Sequence, residues 1–138
     1  MSKAFELHRQ LAADTIVVGD LELCRVLLMN DANYPWLILV PRQAKTCEVY
    51  ELSEHHQALL WQEVTAIGQA MMQALGGHKL NIGALGNMVP QLHVHVIVRQ
   101  PDDAAWPGPV WGKVPAVPYD APGLETRLEQ LRDLLQHD

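Results

Sequence analysis

One stretch of nine residues near the middle of the chain decides the predicted fold: Gln91-Leu92-His93-Val94-His95-Val96-Ile97-Val98-Arg99. Apolar side chains alternate along it with other types, which is typical of a β-strand because successive side chains point to opposite faces of a sheet. The predicted buried face consists of Leu92, Val94, Val96 and Val98. The opposite face carries His93 and His95, with imidazoles about 7 Å apart at a rise of ~3.3 Å per residue. Two adjacent histidines add little stability to an open strand face, so the pattern indicates chemistry.

The N-terminal part of the chain predicts a short helix followed by three strands. Ser2 is a candidate cap for a helix that ends near Ala13. Three strands are predicted at residues 15–18, 21–29 and 36–40. Gly19-Asp20 is predicted to form the turn between the first two strands. Short connections between consecutive strands favour antiparallel pairing.

The next part of the chain predicts the longest helix and a fourth strand. Ser53 is a candidate N-cap, apolar residues recur at three- and four-residue spacing as far as Leu75, and Gly76-Gly77 ends the helix. A strand at 79–85 leads through a tight connection to the histidine-containing strand. The order β-β-β-α-β-β lacks regular βαβ alternation. It therefore predicts an α+β fold with an antiparallel sheet of about five strands.

The composition changes after residue 100, because six of the nine prolines and two tryptophans lie between residues 101 and 122. This segment is too apolar for a typical solvated linker, and we interpret it as an extended arm that packs on the domain or on a second subunit. A last helix is predicted from about Leu124 to Gln136. The chain is predicted to be one domain, with a core over 1–100 and an arm and helix over 101–138.

Composition and cysteine usage narrow the range of functions. The formal charge of −6 argues against sequence-independent binding to long nucleic acids, which requires a basic face. Cys24 and Cys47 form neither a CxxC pair nor a metal-ligand spacing, and we expect two reduced, partly buried thiols. The N-terminus lacks an apolar segment of signal-peptide length, and no segment is long enough to span a membrane. We therefore expect a cytoplasmic protein.

Three interpretations of His93 and His95 stay open on the residues alone. They are surface histidines without a special role, or they bind a metal ion, since a His-X-His strand can present two imidazoles to zinc. In the third interpretation one imidazole attacks phosphorus while its neighbours hold the phosphate. The metal site needs a third ligand, and none is obvious nearby. The other candidates, His55, His56 and His78, lie at a helix start and in a turn, where solvated histidines are common.

The segment around these histidines resembles the signature of the histidine triad (HIT) family, His-φ-His-φ-His-φ-φ with φ apolar. Gly86-Asn87-Met88-Val89-Pro90 falls where the family has a phosphate-contacting loop. Leu28-Met29-Asn30 and residues 37–42 resemble the strands that flank its ribose-contacting loop. The resemblance covers about residues 15–99. The tail, including residues 102–111, is similar to a bacterial branch labelled diadenosine tetraphosphate hydrolase-like.

This resemblance implies a nucleotide hydrolase or transferase that acts at a phosphate bonded to a nucleoside. The family's nucleophilic middle histidine corresponds to His93, which would attack the α-phosphorus and form a nucleotidyl-histidine that water cleaves. The third histidine corresponds to His95, a donor to the phosphate or the leaving oxygen. The implied partner is a small nucleotide, such as an adenosine dinucleoside polyphosphate, and the family commonly forms a twofold dimer. No cofactor is required, and whether a divalent ion accompanies the polyphosphate stays open.

Two positions depart from the family pattern. Gln91 replaces the first histidine, and an amide can hold a backbone carbonyl or a phosphate oxygen but cannot supply a proton. Met88 replaces the loop serine and Asn87 the loop glutamine, which removes a hydroxyl from the leaving-group contacts. These changes motivate an alternative function, a nucleotide-binding regulator with little catalysis.

Four further residues are candidate substrate contacts, each with a structural alternative. Asn30 falls where the family contacts ribose, and asparagine also suits the start of a loop. Asn87 is a candidate for the α-phosphate or for a turn, and Asn81 is a candidate on the preceding strand. Arg99 is a candidate phosphate contact, although it ends a strand and could instead be solvated. Either tryptophan of the arm could cover a base or the mouth of the site, or simply pack the arm.

Overall fold

A five-stranded antiparallel sheet forms the centre of the computed structural model, which describes residues 4–135. The strands are β1 (Thr15–Asp20), β2 (Cys24–Met29), β3 (Trp36–Pro41), β4 (Lys79–Gly83) and β5 (Val94–Arg99). Their spatial order is β1-β2-β3-β5-β4. The helices are α1 (Arg9–Asp14), α2 (Glu54–Leu75) and α3 (Ala121–Leu135), and a 3-10 turn spans Val49–Glu51. The predicted α+β fold, with one long helix and a C-terminal helix, is confirmed.

The long helix α2 covers one face of the sheet. The hydroxyl of Ser53 accepts a hydrogen bond from the His56 N–H at its start, and Gly76 ends it in the left-handed conformation at φ 62°. The helix buries Leu60, Val64, Ile67 and Met71. The same core contains all the residues predicted for the buried face of the histidine-containing strand, Leu92, Val94, Val96 and Val98. Burial of each such side chain contributes on the order of 1.5–3 kcal/mol, so this layer stabilises the sheet.

The second face of β5 is also buried, whereas the sequence pattern predicts an open face. All six residues of β5 are buried. A second apolar cluster covers this face, and its buried members are Leu11, Leu27, Tyr34, Trp36, Ile38, Val40, Ile97, Ala105 and Val110. Alternation of polar and apolar residues predicts exposure only if the polar side chains need water. In this structure they find partners inside the protein.

The turn between β1 and β2 lies later than predicted. Gly19 and Asp20 belong to β1, because a bulge between Val17 and Gly19 lets the strand keep its pairing with β2. Asp20 then forms an ion pair with Arg25 across the two strands. The turn is at residues 21–23, so β2 begins at Cys24 rather than at residue 21.

The strands beside the candidate site are shorter than predicted. β4 ends at Gly83 rather than at residue 85, and β5 begins at Val94 rather than at residue 91. The reason is that Leu92 does not pair with β4: its N–H donates to the carbonyl of Thr46, which follows β3. Residues 84–93 therefore form a loop that ends directly at the histidines.

The short first helix begins later than predicted. It is capped by His8, whose imidazole Nδ1 accepts a hydrogen bond from the Gln10 N–H. Residues 4–8 are not helical. The predicted cap, Ser2, lies outside the described residues.

The last helix begins at Ala121 rather than near residue 124. Asp120 accepts a hydrogen bond from the Gly123 N–H through its carboxylate, and Pro122 is tolerated in the first turn of a helix. The predicted end, Gln136, lies outside the described residues. Among residues 4–135, no helix has the length and apolar composition needed to cross a membrane.

The two cysteines are free, as predicted, but their environments differ. Cys24 is buried in β2, where burial and the nearby carboxylate of Glu63 raise its pKa. Cys47 is exposed, so the expected partial burial is wrong for this residue. It follows β3 in a segment without helix or strand, and no neighbouring layer covers it.

The arm of residues 101–120 packs on the domain, which is one of its two predicted positions. Arg99, at the end of β5, forms a buried ion pair with Asp103, with Nε 2.7 Å from the carboxylate. The guanidinium also lies 5.7 Å from the ring centroids of Tyr34 and Trp106. The pair therefore attaches the start of the arm to the sheet, and Arg99 lowers the pKa of Asp103 from 3.8 to about 2.

We expect Asp103→Asn to lower the free energy of unfolding by about 3 kcal/mol, because Arg99 would remain buried without a countercharge. In the wild-type protein the depressed pKa means that the contribution of Asp103 is complete above about pH 4 and is lost as the pH falls towards 2. Denaturant unfolding at several pH values measures both effects. Asp102→Asn, at an exposed neighbouring position, is the control, and equal stability of the two variants would contradict the role of the pair.

Candidate active site

His93 is held in one tautomer by the backbone that precedes it. Its Nδ1 lies 2.7 Å from the carbonyl oxygen of Gln91. Since a carbonyl only accepts hydrogen bonds, Nδ1 carries the proton of the neutral ring, and Nε2 keeps a free lone pair. The side chain is 6% exposed. Its tautomer therefore makes Nε2 of His93 a candidate nucleophile.

His95 is held in the opposite tautomer by a tryptophan of the neighbouring strand. The indole Nε1 of Trp36 donates a hydrogen bond to Nδ1 of His95 at 3.0 Å. An indole N–H only donates, so the proton of the His95 ring lies on Nε2. Burial and the neighbouring His93 lower the pKa of His95 to about 3, so the ring is neutral at physiological pH. His95 therefore presents one N–H donor at Nε2.

The two imidazoles are in contact, and two tryptophans cover His95. The ring centroids of His93 and His95 are 5.0 Å apart, closer than the 7 Å predicted for an ideal strand. Trp36 and Trp111 lie 5.7 and 5.2 Å from His95. Trp111 comes from the arm and packs over Gly83, where a Cβ atom would lie 3.3 Å from its ring. Trp111 thus both packs the arm and covers a histidine.

The side chain of Gln91 binds the backbone of residues 6–8, called the N-terminal segment from here on. Its Oε1 accepts a hydrogen bond from the His8 N–H at 2.8 Å, and its Nε2 donates to the Glu6 carbonyl at 2.9 Å. The sequence predicts that this amide binds a backbone carbonyl or a phosphate oxygen, and the structure shows the bond to a backbone carbonyl. The same residue thus contacts residues 6–8 through its side chain and His93 through its backbone.

A small depression of about 30 Å³ opens beside His93. It is lined by Cys47, Glu48, Val49, Ala84, Leu85, Gly86, Leu92 and His93. This volume is about that of one water molecule. The adjoining loop residues Asn87 and Met88 are exposed, Met88 to 94%. The loop that carries the predicted phosphate contacts therefore borders the candidate nucleophile, His93, from the solvent side.

Comparison with known proteins shows the family of this chain. The family model of the HIT domain matches residues 10–102, which include all five strands. The chain belongs to the HIT domain family. A comparison with curated proteins finds no match.

Three solved structures of histidine triad proteins are similar to this HIT domain over nearly its whole length. The protein from Marinobacter aquaeolei VT8 is 51% identical with a TM-score of 0.95, and the match covers 97% of this chain and 98% of that one. The protein from Bradyrhizobium japonicum is 47% identical with a TM-score of 0.94, covering 96% and 99%. The protein from Sinorhizobium meliloti 1021 is 46% identical with a TM-score of 0.91, covering 94% and 96%.

Two of the predicted substrate contacts lie away from the histidines of the HIT domain. Arg99 follows His95 by four residues, about 13 Å along the strand. All three guanidinium nitrogens of Arg99 have partners, Nη1 donating to Asn81 Oδ1 and the other two to Asp103. Arg99 is 1% exposed. Arg99 therefore attaches the arm through Asp103, and Asn81 supports Arg99 in this position.

The other two predicted contacts, Asn30 and Asn87, have different surroundings. Asn30 Oδ1 accepts a hydrogen bond from the Tyr119 N–H, which connects the loop after β2 to the arm. Asn30 also lines a cavity of about 340 Å³ together with Ala13, Asp14, Met29 and Ala116. Asn87 is exposed beside the depression, but Gly86 rather than Asn87 lines it. The structure thus brings together Gln91, His93 and His95 with the loop next to them.

Sequence reasoning missed Trp36, which contacts both His95 and Trp111. β3 is apolar throughout, so no alternation distinguishes its faces. Pairing of Trp36 with Ile97 places the tryptophan near His95, but a register between strands so far apart in sequence has no local signal. A tryptophan at the start of a buried strand was the one available indication, since a buried indole N–H usually has an acceptor.

The structure adds no third ligand, among its described residues, to the metal site considered for His93 and His95. Within residues 4–135, no group of three or more His, Cys, Asp or Glu side chains could hold a metal ion. His78 packs against Trp106 at a centroid distance of 5.4 Å, and His55 and His56 lie together at the start of α2. The three histidines considered above as a third ligand, His55, His56 and His78, therefore have surroundings of their own, and His8 does not complete a metal-binding group among residues 4–135 either.

We expect Trp36→Phe to raise the pKa of His95. The indole donates to the lone pair that a second proton would occupy, so its removal favours the protonated ring. Imidazole ¹⁵N chemical shifts measure both the pKa and the tautomer. Trp61→Phe, at an exposed position of α2, is the control. Unchanged ¹⁵N shifts of His95 in Trp36→Phe would contradict the assignment.

Proposed function

We propose that this HIT domain is a nucleotide hydrolase or transferase that cleaves at the α-phosphate of a nucleoside phosphoanhydride or phosphoramidate. HIT domain proteins generally have activities of this kind. The similarity of the tail to the diadenosine tetraphosphate hydrolase-like branch favours adenosine dinucleoside polyphosphates. The observation that carries the proposal is the hydrogen bond between His93 Nδ1 and the Gln91 carbonyl. It leaves Nε2 nucleophilic without a further base.

In the first proposed step, Nε2 of His93 attacks the α-phosphorus. The N–P bond forms while the bond to the leaving group breaks, and the leaving group takes the bonding electrons. The imidazole becomes a cation whose Nδ1–H still donates to the Gln91 carbonyl, a charge-assisted hydrogen bond that stabilises the intermediate. Water then attacks phosphorus, and the N–P electrons return to Nε2. A nucleoside monophosphate leaves, and one proton goes to solvent.

His95 supports this step as a neutral donor. Its Nε2–H is the one donor that the ring offers, and negative charge on phosphoryl oxygens is best stabilised by donors that are already oriented. Neutrality matters because the two rings are 5.0 Å apart, so a charged His95 would repel the cation that forms on His93. The hydrogen bond from Trp36 and the burial of His95 both keep that ring neutral.

The alternative is a nucleotide-binding regulator with little catalysis, and one observation favours it. The Gln91 amide already bonds to the backbone of Glu6 and His8, so it does not replace the first histidine of the family pattern as a free group in the site. A regulator would bind nucleotide without forming a bond to His93.

We expect His93→Ala to lower kcat for diadenosine tetraphosphate by on the order of 10³-fold or more, because the covalent route is lost. Nucleotide affinity should change little, since the ring supplies one contact among several. His55→Ala removes an exposed imidazole outside the site and serves as the control. Rapid-quench intact-mass spectrometry of the wild-type protein should show a nucleotidyl adduct, mapped to His93 by peptide sequencing.

Two outcomes would contradict this proposal. Turnover by His93→Ala near the wild-type rate would exclude His93 as the nucleophile. Tight nucleotide binding by the wild-type protein without adduct or turnover would favour the regulator. His55→Ala should match the wild type in both measurements.

We further propose that the protein acts in the cytoplasm as a homodimer and needs no cofactor. β4 is an edge of the sheet, and Ile82 and Leu85, on and just after it, are 38% and 50% exposed. An open sheet edge with exposed apolar side chains on and beside it is suited to pairing with a second copy. Sedimentation equilibrium should give twice the 15.4 kDa of one chain, and a monomer at micromolar concentration would contradict the dimer.

A further inference from the structure

Cleavage of a P–O bond and cleavage of a P–N bond differ in whether the leaving group must be protonated. An anhydride oxygen that belongs to a phosphate or a carboxylate departs as a stable anion. An amine must gain a proton as the P–N bond breaks, because its anion is too basic to depart. A positioned general acid contributes about 10²–10⁴-fold to such a step. The chemical class of the substrate therefore depends on whether the site holds an acid.

His95 does not serve as that acid. Its Nδ1 accepts the Trp36 N–H at 3.0 Å and can take no proton without breaking this bond in a site where the ring is 5% exposed. The remaining proton, on Nε2, belongs to a neutral imidazole, which is a far weaker acid than an imidazolium. His95 can therefore donate a hydrogen bond to an oxygen but cannot transfer the proton that an amine needs.

The other two positions of the triad have no proton to transfer to the leaving group. Gln91 carries an amide, which does not titrate, and both of its polar atoms bond to residues 6–8. His93 forms its bond to phosphorus through Nε2. Its one proton is on Nδ1, on the other side of the ring, and points to the Gln91 carbonyl 2.7 Å away.

Among residues 4–135, three more titratable residues line the depression or donate a hydrogen bond to the triad. Cys47 and Glu48 are exposed and line the depression. A carboxylate only accepts hydrogen bonds, so Glu48 offers no proton in that form. His8 belongs to the segment that Gln91 holds, and its Nδ1 accepts the Gln10 N–H at the start of α1. Of the two residues that line the depression, Cys47 has a thiol proton to give, and the Cys47→Ala variant tests it.

We propose, on the basis of the function proposed above, that this site is restricted to nucleotides whose leaving group departs as an anion. The substrates are then nucleoside phosphoanhydrides, including mixed anhydrides with a carboxylate, and phosphoramidates are poor substrates. Nε2 of His93 supplies the electron pair of the new N–P bond, and the leaving oxygen takes the electron pair of the broken P–O bond. No proton moves in this step. The Trp36–His95 hydrogen bond and the amide at position 91 are the positioning features that set this preference.

The test uses two substrates that differ in one bridging atom, the 4-nitrophenyl ester of adenosine monophosphate and its 4-nitroanilide. Their nucleoside and aromatic ring are identical, so their binding contacts are matched. The ratio of their kcat/KM values therefore measures how strongly the leaving group needs a proton. We expect the ester to exceed the anilide by at least about 10²-fold in kcat/KM, the loss that a missing general acid produces. Diadenosine tetraphosphate and adenylylated lysine should follow the same order.

Two variants test the residues behind the preference. In Trp36→Phe, Nδ1 of His95 is free to accept a proton, so the ester-to-anilide ratio should fall by about tenfold. General damage to the fold would lower both rates and leave the ratio unchanged, so an unchanged ratio would contradict the role of Trp36. In Cys47→Ala the ratio should equal that of the wild type. A ratio that rises in this variant would make Cys47 the acid and overturn the proposal.

The outcomes distinguish this inference from the function on which it rests. Comparable kcat/KM values for the two substrates, together with a nucleotidyl adduct on His93, would overturn the leaving-group restriction and leave the hydrolase intact. Absence of an adduct and of turnover with both substrates and with diadenosine tetraphosphate would overturn both. A ratio of at least 10² with an adduct from the ester supports both.

Discussion

Burial of both faces of β5 is the constraint on which the rest of the structure depends. One face packs on α2 in the usual way of a sheet covered by a helix, whereas the other lies under the arm and the N-terminal segment. A buried polar group without a partner costs about 1–3 kcal/mol, so each polar side chain on the second face requires a partner from within the protein. Trp36 supplies it for His95, and Asp103 with Asn81 supplies it for Arg99.

The same requirement determines the chemistry of the site. A histidine in water exchanges tautomers freely, but a buried one takes the tautomer that its partner demands. The Gln91 carbonyl accepts a hydrogen bond, so Nδ1 of His93 carries a proton. The Trp36 indole donates a hydrogen bond, so Nδ1 of His95 carries none. The two neighbouring imidazoles therefore differ in tautomer because of what lies at their Nδ1 atoms. One can attack through Nε2 while the other can donate through it.

The sequence predicts those features that depend on local patterns. The position of α2 and the core face of β5 follow from periodicity within one element, and His93 follows from a motif in consecutive residues. Features that depend on strand register or on the folding back of the arm are not predictable in this way. Trp36 reaches its partner His95 across 59 positions of sequence, and the arm covers a face that alternation predicts to be open. Each of these contacts depends on tertiary packing, which cannot be predicted from the pattern of a single amino-acid sequence.

The hydrogen bonds of Gln91 link two regions of the chain in a way that should be visible in other members of the family. Its amide bonds to the carbonyl of Glu6 and the N–H of His8, on either side of Leu7, as a residue of a parallel strand would. Only asparagine and glutamine carry a donor and an acceptor on one amide group, whereas the two nitrogens of histidine point in different directions. The amide at position 91 and the docked N-terminal segment should therefore have been gained or lost together in evolution.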